Sequence, residues 1–383
     1  MGKAVYLESK PRYEILDGLR GVAALVVVLY HLVECYPAEY VSTFMAHGYL
    51  AVDFFFALSG FVIGYAYDDR WNSMTTWDFF KRRITRLHPM VIMGVLVGVC
   101  FFYYSGDCEI FNKVDDAAWW MLLVQAFLLI CMIPLPSSMD IRGWGELTSI
   151  DGPIWTLMFE YVANIFYALF LRRIGRVFLA VLVAGCAVLT ADCTLHLNLF
   201  GILETEWQQY SVIGGFYLNP ENLYIGYVRL LYPFLCGLLL SRCGKTIRMN
   251  NGFIITALMV LVMLGVPNLG TTHKIYDGVY QLVCILLVFP LILSIGAGST
   301  LGKKTSGICI FLGEISFPLY ITHYPLIYMH TSWYQRHPDA PLGTHILVGI
   351  CTLMIALGLA YAALRLYDEP VRAWLKDHWL KKK

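Results

Sequence analysis

Long apolar runs separated by short polar connections set the pattern of this chain. A helix that crosses the hydrocarbon of a bilayer needs about 20 mostly apolar residues. Runs of that order fall at 14–36, 49–67, 89–105, 117–135, 153–171, 177–195, 223–241, 252–267, 279–297, 307–330 and 345–367. The connections are short except 136–152 and 196–222, and neither an internal repeat nor a low-complexity segment interrupts them. The pattern predicts an all-α integral membrane protein whose single domain occupies residues 1–383.

The distribution of Lys and Arg refines the count, because cytoplasmic loops carry the excess of both. With the N-terminus inside, the loop after the second run holds Arg70, Lys81, Arg82, Arg83 and Arg86, while 37–48 has no basic residue. If 117–135 crossed, Arg172, Arg173 and Arg176 would lie outside and the stretch with Glu204, Glu206 and Glu221 inside. If it does not cross, those arginines, Arg242, Lys245, Arg248, Lys303, Lys304 and the Lys381–Lys383 tail all face the cytoplasm. The expectation is a bundle of about ten transmembrane helices with both termini cytoplasmic, plus one re-entrant or interfacial segment at 117–135. Trp119 and Trp120 then sit at headgroup level. The polar stretch to Arg20, with Lys3, Lys10 and Arg12, lacks the build of a cleavable leader, so the first run is expected to stay as an anchor.

Composition agrees with a membrane chain. Of 383 residues 58% are hydrophobic and 14% charged, with a net charge of +1. Those values exclude a disordered segment or coiled coil and disfavour a nucleic-acid binder. The 11 cysteines show no C-x-x-C pair, and most lie inside apolar runs, where a thiol is a small hydrophobe. His88, His273, His330 and His337 have no metal-ligand spacing, so no metal is expected.

Ionisable residues at membrane depth are costly and mark function by default. Arg20 and His31 are eleven residues apart, close to three full turns, so both project from one helix face roughly 16 Å apart. Glu160 lies about two turns into its run, and a buried carboxylate is expensive unless paired. His323 shares a run with Glu314, Ser316 and Pro318, and the proline can kink that helix beside a polar cluster. Ser59 precedes Gly60 in a small-residue step that suits helix packing. The block FFKRRITRLHP (79–89) either anchors to anionic lipid or holds phosphates. Snorkelling of Arg20, and packing by His31, Glu160 and His323, are the structural alternatives.

Taken together, these segments resemble the acyltransferase-3 family of membrane acyltransferases. The matching pieces are ILDGLRGVAALVVVLYH (15–31), VDFFFALSGFVIG (52–64), FFKRRITRLHP (79–89), IWTLMFEYVANIFY (154–167), RLLYPFLCGLLL (229–240), LGEISFPLYITHYPL (312–326) and YDEPVRAWL (367–375). They stand in family order over residues 14 to 375. The resemblance implies transfer of an acyl group, most often acetyl from acetyl-CoA, to a hydroxyl of an extracytoplasmic or lipid-linked glycan, in a bacterial inner membrane. No permanently bound cofactor and no fused SGNH-type domain are expected. It also implies roles for Arg20 and His31, for Ser59, for Arg82, Arg83 and Arg86, for Trp155 and Glu160, and for Ser316 and His323.

The expected chemistry docks CoA phosphates on Arg20, Arg82, Arg83 and Arg86 and uses His31 as general base, its tautomer held by Glu160 or His323. A relay through acyl-His31 is the variant. A transporter of a small anion or lipid-linked sugar through the same polar centre is the rival reading, and a silent scaffold a weaker one.

Overall fold

The computed structural model describes residues 10–269 and 274–380. Lys3, His273 and the Lys381–Lys383 tail lie outside the described residues. Twelve helices carry the architecture: α1 Glu14–Glu34, α2 Ala51–Tyr67, α3 Thr76–Ser105, α4 Trp119–Ile130, α5 Ile154–Leu169, α6 Arg176–Thr194, α7 Pro220–Cys243, α8 Gly252–Gly265, α9 Ile275–Gly298, α10 Lys303–Thr322, α11 Tyr324–Arg336 and α12 Leu342–Leu380. No strand occurs among the described residues.

Among the described residues, nine helical segments are long and apolar enough to cross a membrane. The expected count was about ten, and the difference lies in 252–267. There the helix is only the 14 residues of α8, about 21 Å at 1.5 Å per residue, against a core of about 30 Å. The doubtful segment 117–135 forms the 12-residue α4, shorter still, with Trp119 and Trp120 exposed. The run 307–330 is two helices, because α10 ends at Thr322 and α11 begins at Tyr324, with Pro325 in its first turn. The run 89–105 begins thirteen residues early, at Thr76. A capping box between Thr75 and Asp78 starts that helix, so the basic block 79–89 forms its first turns and not a loop.

Close backbone contacts fix the two pairs of helices that hold the polar residues. Along the α2–α7 seam, a Cβ at Gly60 would stand 1.9 Å from the Phe234 carbonyl oxygen, and one at Gly237 2.0 Å from that of Ala57. Along α1–α10, a Cβ at Gly21 would stand 2.5 Å from the Leu312 carbonyl oxygen. Only glycine permits such approach, the usual device for joining helices in lipid. Gly60 therefore does the packing that the Ser59–Gly60 step implied, which frees the serine for a polar contact.

The two long connections fold back onto the bundle. Arg142 is buried, donates to the Ser149 carbonyl oxygen and to Ser105 Oγ, and lays its guanidinium 3.6 Å from the Tyr328 ring centre. Asp140 caps this turn by accepting from the backbone N–H groups of Arg142, Gly143 and Gly145. The Leu147 N–H donates to the Phe216 carbonyl oxygen, which ties the first connection to the second.

Candidate active site

Two of the cavities in the bundle hold most of the candidate residues. The first, about 400 Å³, lies where α1 begins and is lined by seven cations: Lys10, Arg12, Arg20, Arg70, Arg83, Arg86 and Arg372. Four carboxylates, Asp17, Glu160, Glu314 and Asp368, line it as well. The second, about 430 Å³, lies where α1 ends, around His31 and Glu34. Val52 and Tyr320 line both cavities and form the septum between them. The Tyr320 hydroxyl is held at 2.9 Å from Thr156 Oγ1.

In the basic cavity, Arg20 Nε donates to Ser316 Oγ at 2.9 Å. Its Nη2 donates to the Gly313 carbonyl oxygen at 3.0 Å and to Asp17 at 3.2 Å. The α1–α10 close approach makes this possible, since it sets the guanidinium against the backbone of the facing helix. Arg83 is buried and pairs with Glu160 Oε1 at 2.6 Å, and Ser59 Oγ donates to the same carboxylate oxygen at 3.1 Å. Arg86 lines the cavity with no ion-pair partner among the described residues. A cluster of guanidinium groups with one left over is a ready anion site. Arg82 does not line the cavity, because on the helix its side chain leaves from a different face than Arg83 and Arg86.

In the second cavity, His31 Nδ1 stands 2.6 Å from Glu34 Oε2, one turn further along α1. Glu34 also accepts from the Tyr30 hydroxyl at 3.4 Å. The expected partners of His31 are elsewhere. Glu160 is bound to Arg83 and Ser59 in the basic cavity, since α5 meets α3 there. His323 brings its ring to 5.6 Å from that of His31, yet its Nδ1 faces the Leu319 and Tyr320 carbonyl oxygens of its own turn, at 3.1 and 2.9 Å. Its Nε2 is buried without a hydrogen-bond partner. The break between α10 and α11 is what allows His323 to turn back on its own carbonyls.

Trp155 lines the second cavity with Trp144, Phe216, Tyr217, Tyr324 and Glu146. Arg229, buried on α7, holds Asp53 of α2 at 2.9 Å and donates to the Tyr49 and Gly214 carbonyl oxygens. Burial pushes the Glu146 carboxyl up to about 8, although the Tyr328 hydroxyl donates to it at 3.1 Å. Asp151, with both carboxylate oxygens buried and unpaired, is raised as well, first by burial and then by the field of Glu146.

Sequence reasoning missed Glu34, Asp53, Arg229, Tyr320 and Glu146. Glu34 was within reach, because its i+3 spacing puts it on the His31 face. Asp53 and Arg229 sit in apolar runs as Glu160 does, and the same argument about ionisable groups at membrane depth finds them.

A bundle of apolar helices that brings a cationic cavity and an aromatic one to the two sides of a common septum has the build of a membrane group-transfer enzyme. The chain belongs to the acyltransferase-3 family: the family profile, described as an acyltransferase domain, matches residues 13–365. That places it among the acyltransferases.

It is similar to protein 2 of the picA locus in Rhizobium radiobacter, 33% identical over 171 residues that make up 42% of this chain and 84% of the relative. It is 24% identical to a Staphylococcus aureus (strain COL) protein provisionally named an O-acetyltransferase, over 93% of this chain and 57% of the relative. Against the O-acetyltransferase OatA of Staphylococcus aureus (strain NCTC 8325 / PS 47) the identity is 24% over 94% of this chain and 58% of the relative. The chain thus spans somewhat over half the length of the Staphylococcus proteins it matches. No solved structure matches it.

Proposed function

We propose that the protein moves an acetyl group from cytoplasmic acetyl-CoA, bound in the basic cavity, to a glycan hydroxyl presented in the aromatic cavity on the opposite side of a bacterial inner membrane. The observation that carries this reading is the shared septum. Two cavities of opposite chemical character meet at Val52 and Tyr320, with the His31–Glu34 pair on one side and the unpaired Arg86 on the other.

Arg20, Arg83 and Arg86 receive the phosphates of CoA, a match of charge and bidentate geometry. Arg82 is left out of this set, since it does not line the cavity. The pantetheine arm extends toward the septum. Glu34 accepts from His31 Nδ1–H and so leaves Nε2 as the basic nitrogen. Nε2 takes the proton of the acceptor hydroxyl as its oxygen attacks the thioester carbonyl; the C–S bond breaks, and the CoA thiolate recovers the proton from the imidazolium. The order of steps accounts for every proton without a resident cofactor. Ser59 holds the Arg83–Glu160 pair, and Ser316 orients Arg20. His323, with no hydrogen bond to His31, keeps its ring centre 5.6 Å from that of His31 and its Nδ1 on the carbonyl oxygens of its own turn.

The test is acetyl-CoA turnover by the protein in lipid nanodiscs, followed by CoA-thiol release with a panel of glycan acceptors. Wild type releases thiol in an acceptor-dependent manner and His31→Ala does not. Acceptor or anion flux without thiol release would replace the transferase by a transporter.

A further inference from the structure

We infer that the aromatic cavity is built for an uncharged pyranose ring and excludes acidic sugars. The inference rests on the acyl-transfer reading only in naming that ring as the acceptor.

The walls come first. Trp144, Trp155, Phe216 and Tyr217 line a space of about 430 Å³. The rings brace one another, with centres 6.3 Å apart for Trp155 and Phe216 and 4.8 Å apart for Phe216 and Tyr217, both edge-on. Rings fixed in this way offer flat apolar surfaces at little entropic cost. A pyranose has the complementary shape: an apolar face of axial C–H bonds and a rim of hydroxyls. A charged phosphate or a flexible acyl chain has neither.

Charge decides which pyranose. Besides His31, the ionisable side chains lining the cavity are Glu34, Glu146 and Arg229, with tyrosines. Arg229 is committed, because Asp53 neutralises it at 2.9 Å and two backbone carbonyls take further N–H groups. Glu34 is committed to His31. Glu146 accepts from Tyr328 through Oε2, and no donor among the described residues reaches its Oε1, so it can receive a sugar hydroxyl. A uronate entering here would meet the Glu34 carboxylate and the Glu146 carboxyl, which ionises above about pH 8, and no uncommitted guanidinium. An anion moved out of water without a partner pays a penalty that ring stacking does not offset. The basic cavity has the inverse character, with seven cations against four carboxylates. The two cavities are therefore sorted by charge, one for the anionic donor and one for a neutral acceptor.

Saturation-transfer NMR on the protein in nanodiscs tests this without any donor present. The probes are methyl β-D-glucopyranoside, methyl β-D-galactopyranoside and methyl β-D-glucuronide, with empty nanodiscs as control. Saturating the protein's aromatic protons is expected to reach the ring protons of a neutral glycoside, with the glucuronide bound at least ~10-fold more weakly, equivalent to about 1.4 kcal/mol. At pH 9, where the Glu146 carboxyl is ionised, Glu146→Gln, which keeps the side-chain shape and removes that charge, is expected to narrow the ratio. If that variant fails to fold, Tyr217→Lys adds a cation to the same wall and is expected to admit the glucuronide.

Equal or tighter binding of the glucuronide, no transfer above the control for any glycoside, or a ratio unmoved in the folded variant each overturn the inference. Loss of turnover with this binding order intact removes the acyl-transfer reading alone. Normal turnover with the order reversed removes the neutral-sugar inference alone.

Discussion

Glu34 Oε2 lies 2.6 Å from His31 Nδ1, three residues away on the same helix face. One short helical step therefore supplies the carboxylate that fixes the imidazole, with no second helix involved. If His31 acts as general base through Nε2, Glu34→Gln removes the negative charge that favours the developing imidazolium. A positioned base contributes on the order of 10²–10⁴-fold, so kcat is expected to fall on the order of 10²-fold with the acetyl-CoA KM little changed. Steady-state kinetics in nanodiscs checks it. Wild-type kcat in Glu34→Gln would separate the pair from the chemistry.

The unequal placement of neighbouring arginines gives a second prediction. Arg86 lines the basic cavity without an ion-pair partner among the described residues, while Arg82 does not line it. A hydrogen bond to a charged group is worth about 1.5–3 kcal/mol. Arg86→Ala is expected to raise the acetyl-CoA KM on the order of 10-fold, more steeply at low salt, and to leave thermal stability near wild type. Arg82→Ala is expected to change KM by less than about twofold, within the spread of ordinary surface substitutions. Equal effects from both would mean that the basic block acts as a diffuse patch and not through the cavity.

Much of this was legible in the chain. Apolar run length gave the helices, and the i, i+11 spacing put Arg20 and His31 on one face at opposite ends of α1. The runs failed where length was marginal: α8 at 252–267 is shorter than its hydropathy implies, and 307–330 breaks at His323. Pairings between helices were not legible. Glu160 has no local arginine in the sequence, yet α3 brings Arg83 to it across 77 positions of chain. Nor could run length show that two loops, 136–152 and 196–222, meet and complete a wall. Glycine contacts such as Gly60 on Phe234 decide how α2 meets α7, and one sequence does not say which glycine faces which helix.

The Asp53–Arg229 pair is a structural prediction distinct from catalysis. Both side chains are almost wholly buried, at 0% and 2% exposure, and the Asp53 Oδ1 atom has no hydrogen-bond partner. Removing one partner of a buried pair leaves the other charge uncompensated, at about 3–5 kcal/mol. Asp53→Ala is expected to lower the melting temperature sharply or abolish recovery of folded protein. Asp53→Ala/Arg229→Met, which removes both charges and keeps most of the arginine volume, is expected to recover part of that loss. Thermal denaturation in detergent reads both. An additive double variant would show that the two residues act independently.

Glu146 carries the pH dependence. Burial raises its carboxyl to about 8, and the neighbouring Glu34 adds to the effect. Unfolded, the group titrates near 4.3. The folded state thus holds its proton over a range in which the unfolded state has lost it, so this contribution is fully present below about 4.3 and is lost as pH rises through about 8. Glu146→Gln cannot lose a proton and lacks that slope. The melting temperature of the variant minus that of wild type is therefore expected to become more positive between pH 5 and 8 and to level off above about 8.5. Differential scanning fluorimetry across that range checks the sign. A difference that stays flat, or that falls with rising pH, would mean that Glu146 is ionised in the folded protein, held in that state by Arg142 and Tyr328.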